Sequence, residues 1–136
     1  MGVGWYVTLQ RELPGVDPSA VDGKALIHAQ HQLRVIAERL GLTPLHAFLA
    51  TNPAELGWFL QREGLDPEDY PLPEEEWFDP ANGLATVRGL LADLRRDPRG
   101  INWAEQVVRD LEALAVILDA AAREQVPFHL STGLPA

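Results

Sequence analysis

The sequence predicts a mostly helical α+β fold in which a strand near each end of the chain pairs into a small sheet. Three observations carry this expectation. Residues 3–9 (VGWYVTL) and 126–131 (VPFHLS) are short runs rich in β-branched and aromatic residues. Between them, apolar residues recur at helical spacing in successive blocks. Apolar residues make up 46% of the 136-residue chain, and no repeat or long linker interrupts it. One compact domain, residues 1–136, with about five or six helices is therefore expected. A two-stranded ribbon is marginal alone, so it must pack on those helices.

The first strand is followed by a loop over residues 11–23, with turns at Pro14-Gly15 and Asp17-Pro18. The first long helix is predicted over residues 24–40. Leu26, Ala29, Leu33, Ile36 and Leu40 draw one apolar stripe, Asp22 can cap its start, and Gly41 suits a left-handed end. Thr43-Pro44 opens a short helix over residues 44–50, and Asn52-Pro53 opens another over residues 53–63. Leu56, Phe59 and Leu60 should form the buried face of the latter, closed by Gly64. Pro67, Pro71, Pro73 and Pro80 then forbid a long helix, leaving one turn over residues 73–78. Residues 83–96 are helical again, with Leu84, Val87, Leu90, Leu91 and Leu94 inward. The last helix, residues 103–124, begins with a capping-box spacing of Asn102 and Glu105 and buries Val107, Leu111, Leu114 and Leu118. From Leu111 to Ala122 it is apolar nearly all round, which offers a surface for homo-oligomer formation.

Charge and composition exclude several functions. Twenty acidic residues against eleven basic ones give a net charge of −9, a poor balance for gripping nucleic-acid phosphates. No cysteine is present, so thiolate zinc sites and cysteine nucleophiles are out. Residues 1–10 lack a signal-peptide pattern, and no run approaches the ~18 apolar residues of a membrane span. The expectation is a cytoplasmic protein without membrane contact. An Arg-dominated basic set, with Lys24 the lone lysine, reads as bacterial.

No catalytic residue is assigned. The serines are Ser19 and Ser131, outside any G-x-S-x-G elbow, and no phosphate-cradling glycine motif occurs. His28 and His31 lie opposite Leu33 on their helix; that face reads as solvated rather than metal-binding, and neither metal nor cofactor is expected. Trp5, Trp58 and Trp103 read as core residues, with Trp77 partly exposed.

The distinctive feature is acidic. Residues 63–79 hold eight carboxylates and no base, with Tyr70, Trp77 and Phe78 interleaved. The spacing does not fit a calcium loop, and Glu74 to Glu76 also suit the start of a short helix. As a binding surface for a basic protein partner, Glu68, Asp69, Tyr70, Glu74, Glu75, Glu76 and Trp77 would supply steering charge and aromatic anchors. In size, acidity and short helices the chain resembles bacterial immunity proteins, a likeness of general type that carries no residue role. It implies a non-catalytic module that inhibits a partner. An alternative is a small enzyme or ligand-binding protein whose site gathers His28, His46, Glu75, Arg88 and His129.

Overall fold

The two terminal strands do pair. β1 (Gly4–Leu9) and β2 (Phe128–Gly133) run antiparallel, with Trp5 opposite Thr132, Val7 opposite Leu130 and Leu9 opposite Phe128. The computed structural model describes residues 4–50, 53–66, 69 and 76–133, without the side chains of residues 53–57. Within it α1 (Lys24–His28), α2 (Gln30–Leu40), α3 (Pro53–Arg62), α4 (Pro80–Arg96) and α5 (Ala104–Arg123) join the strands, giving a mostly helical α+β fold.

The sheet is supported on both sides. Trp5 and Val7 of β1 are buried, and so are Phe128, His129, Leu130 and Ser131 of β2. The second edge of β2 is covered by short pairings. Ala50 N–H donates to Leu130 O at 2.9 Å, and Phe78 exchanges bonds of 2.8 and 3.1 Å with Phe128. Phe48, Phe78 and Phe128 then meet ring against ring. A ribbon that would be marginal alone is thereby fixed to the helical body.

The core lies between α4 and α5. Leu84, Val87, Leu90, Leu91 and Leu94 face Val107, Leu111, Leu114 and Leu118, all buried as their spacing predicts. Each fully buried leucine contributes about 1.5–3 kcal/mol of transfer free energy. Ile117 and Ala121 are buried too, so much of the apolar second half of α5 is used within the chain. Val116 stays 70% exposed.

Helix ends show where local spacing and tertiary contact disagree. The helix predicted over 24–40 is two, because the chain turns at Ala29 (φ −99°, ψ 8°). Its halves have different neighbours: α1 packs on β1 and α5, and α2 on α4. Asp22 does not cap α1. Gly23 occupies that position with φ 74°, and the N–H groups of Gly23 and Ala25 bond to the carboxylate of Asp110, brought in by α5. Thr43 does not cap either; Pro44 is extended, and the segment tightens into a 3-10 turn over Leu45–Phe48. α4 starts three residues earlier than predicted, since Asp79 accepts Ala81 N–H at 2.9 Å and Pro80 takes the first helical position. The expected capping box on α5 is absent: Trp103 is the N-cap, and Glu105 pairs with Arg109 at 2.9 Å.

Three helices close by one device. Gly41, Gly64 and Gln125 take positive φ, and the next residues, Leu42, Leu65 and Val126, donate N–H to Ala37, Leu60 and Ala121 five residues back. Because Val126 is used in this closure, β2 begins at Phe128, two residues later than predicted.

Candidate functional site

The acidic segment is anchored at its C-terminal end. Glu76 is exposed, but its carbonyl accepts a hydrogen bond from His129 Nδ1 at 3.0 Å, which places a proton on that nitrogen. Trp77 is half-buried, its ring 4.5 Å from that of His129 and inclined by 30°. Phe78 completes the attachment through Phe128. Asp69 is exposed in a turn, its N–H donating to Asp66 O at 3.0 Å. Glu68, Tyr70, Glu74 and Glu75 lie outside the described residues, as does the first half of the turn predicted over 73–78; the second half, 76–78, is not helical, because Phe78 pairs with Phe128 instead.

α3 leads into this segment and presents aromatic surface to solvent. Trp58 is 61% and Phe59 50% exposed, and the Arg62 guanidinium lies 5.2 Å from the Trp58 ring centre. Phe59 was expected inside with Leu60. Leu60 is buried among the described side chains on α3, and Phe59, 100° round the helix from it, faces solvent; the Leu56 side chain lies outside the described residues. Glu63, Leu65 and Asp66 continue the exposed surface.

The alternative constellation is not assembled. His46 shares a shallow surface depression with His31 and Arg34, and Arg34 donates to His31 Nδ1 at 3.0 Å. Arg88 pairs with Asp119 at 3.3 Å, His129 is buried beneath Trp77, and His28 borders a separate cleft. Glu75 lies outside the described residues. Among the described residues, no group of three or more His, Asp or Glu side chains is placed to hold a metal ion. No described helix is long and apolar enough to cross a membrane.

Two clefts accompany these features. One, of about 760 Å³, lies beside the ends of α2 and α4. There the buried Asp93 accepts from Arg39 at 2.8 Å and from Arg96 at 2.7 Å, and Arg99 pairs with Asp97 at 2.9 Å. The other, of about 510 Å³, opens between α1 and α5 and is bordered by Asp22, Lys24, His28, Trp103, Arg109 and Asp110. Burial and the nearby Asp22 charge push the Asp110 carboxyl up to about 6, against the two backbone N–H groups that bond it.

Trp103 and Asp110 are the functional candidates that the residue pattern did not single out. Trp103 is 64% exposed rather than in the core, and its φ of 61° is unusual for a bulky residue. In the sequence they stand seven residues apart, Trp103 at the N-cap of α5 and Asp110 within it. What could not be read there is which element faces them.

No protein-family model, curated protein or solved structure matches this chain significantly.

Proposed function

We propose that this chain is a non-catalytic protein-binding module of the bacterial cytoplasm, an immunity or inhibitor protein that engages a basic partner. The observation that carries the reading is the consecutive exposure of Trp58 and Phe59 on α3, directly ahead of the acid-rich segment. Large aromatic side chains left in water on one helix are the usual anchors of a protein contact. The carboxylates of Glu68, Asp69, Glu74, Glu75 and Glu76, with Tyr70, stand next to them in the chain and select a partner of opposite charge. Trp77 serves this surface by holding the segment against His129.

The deciding experiment is affinity capture from the source lysate with two baits, the wild-type chain and Trp58→Ala/Phe59→Ala. A basic protein retained stoichiometrically by the first bait, lost from the second and released by salt supports the reading. A wild-type bait that retains nothing the double variant does not also retain overturns it.

A further inference from the structure

On the long helices Asp93 and Asp110 are buried and Asp119 is half-buried, and the three are compensated differently. Asp93 is clamped by Arg39 and Arg96, and Asp119 by Arg88 and Arg123. Among the described residues Asp110 has no ion-pair partner; the backbone N–H groups of Gly23 and Ala25 bond to it, and the nearby charge of Asp22 is of like sign. The cations bordering the same cleft pair with other carboxylates than Asp110. Lys24 lies 3.9 Å from Asp22, and Arg109 reaches Glu105 along α5 at 2.9 Å.

The same cleft is bordered by an aromatic pair. The Trp103 indole and the His28 imidazole face each other at 6.4 Å with 25° between their planes. Trp103 borders the cleft from a left-handed backbone, a conformation that a non-glycine residue rarely adopts. An indole face is the best aromatic partner for a cation, and a cleft of about 510 Å³ admits a small molecule.

We propose that the cleft between α1 and α5 binds a primary organic ammonium ion, its charge against the Asp22 and Asp110 carboxylates and its hydrophobic body against Trp103 and His28. The chain already sets one ammonium, that of Lys24, beside Asp22. The net charge of −9 concentrates cations around the molecule, whereas an anionic ligand would meet two carboxylates. Asp110 gains from such a ligand the countercharge that arginines give Asp93 and Asp119.

The test titrates the full chain with phenethylammonium, followed by ¹H–¹⁵N NMR, with 3-phenylpropionate as an anion of similar shape. Saturable shifts are expected at the Gly23 and Ala25 amides and at the Trp103 indole for the amine alone. Trp103→Gly, whose backbone accepts the positive φ, should remain folded and bind about tenfold more weakly. Asp110→Asn should weaken binding by a similar factor. Absence of saturable shifts at millimolar amine, equal binding of the acid, or undiminished binding by folded Trp103→Gly would each overturn the proposal.

Discussion

The Trp77 ring stacks on the His129 ring at 4.5 Å, and the same imidazole donates to the carbonyl of Glu76, the residue before that tryptophan. One buried side chain of β2 thus holds two consecutive residues of the acidic segment. Trp77→Ala should destabilise the fold by about 1–3 kcal/mol, less than a fully buried tryptophan because the ring is half-buried. His129→Ala should cost a comparable amount, since it removes the stack and leaves the Glu76 carbonyl without its donor. Chemical denaturation of both variants checks this; unchanged midpoints would mean that the segment is not held by this pair.

Gly23 admits no side chain. Its φ is 74°, and a Cβ there would stand 1.7 Å from the Trp5 carbonyl oxygen. Trp5 N–H in turn donates to Gly23 O at 3.1 Å, so the two backbones cannot separate without loosening β1. Gly23→Ala should lower stability by about 3 kcal/mol or more, through combined backbone strain and steric conflict. Gly41→Ala provides the comparison: it has a similar φ, but nothing lies within 4 Å of a Cβ there. Its loss should be about 1 kcal/mol, from strain alone. Thermal unfolding of the two variants separates clash from strain.

What the sequence reveals depends on the range of the interaction. The stripes on α4 and α5 were legible because helical spacing is local and each leucine set needed only some apolar neighbour. The pairing of β1 with β2 was legible because two apolar strands at opposite chain ends had no other partner in view. Strand direction was not, since either orientation satisfies the same residues. The caps failed where a distant group intervened: Asp110 from α5 supplies the bonds expected of Asp22, and Gln32 rather than a local cap receives Asn102 N–H at 3.2 Å. Trp58 and Trp103 escaped the core for a related reason. Composition favours burying tryptophan, but only the fold decides which helix face has a neighbour.

Gln125 offers a stabilising substitution. It closes α5 with φ 56°, a position where Gly41 and Gly64 serve α2 and α3. The carbonyls of Ala121 and Ala122 already receive N–H groups from Val126 and Gln125, and glycine would preserve both bonds. Gln125→Gly should raise stability by about 0.5–1 kcal/mol, as removal of left-handed strain outweighs the added freedom of the unfolded chain. Urea denaturation measures it, and a loss of stability would show that the Gln125 side chain contributes a contact of its own.

Asp110 predicts a pH dependence whose sign is fixed. Its carboxyl titrates at about 6 in the fold and at the ordinary 3.8 when unfolded. Between those values the folded state holds a proton that the unfolded state releases, so this group makes the fold less stable as pH rises through that window. Wild type should therefore gain stability relative to Asp110→Asn between pH 7 and pH 5. Comparing the two proteins cancels the contributions of Asp22, Lys24, His28, Glu105 and Arg109, which face the same cleft or its rim. A constant difference in unfolding free energy across that range would show that Asp110 is ionised as easily in the fold as in water.

The acidic segment and the α3 aromatics should separate kinetically once a basic partner is in hand. Exposed carboxylates act at a distance, over a range that salt shortens to about 8 Å at physiological ionic strength. Reversal of Glu74, Glu75 and Glu76 to lysine should therefore slow association at low salt and change dissociation little. Folding stability should stay within about 0.5 kcal/mol, because surface substitutions rarely do more. Trp58→Ala and Phe59→Ala act through contact, so each should shorten the lifetime of the complex while leaving the low-salt association rate nearly unchanged. Stopped-flow association and dissociation measurements across a salt series distinguish the two sets. Equal association rates for wild type and the triple reversal at low salt would reduce the acidic run to a solvated face. Unfolding of the triple reversal would instead make those glutamates part of the scaffold that Trp77 and His129 begin.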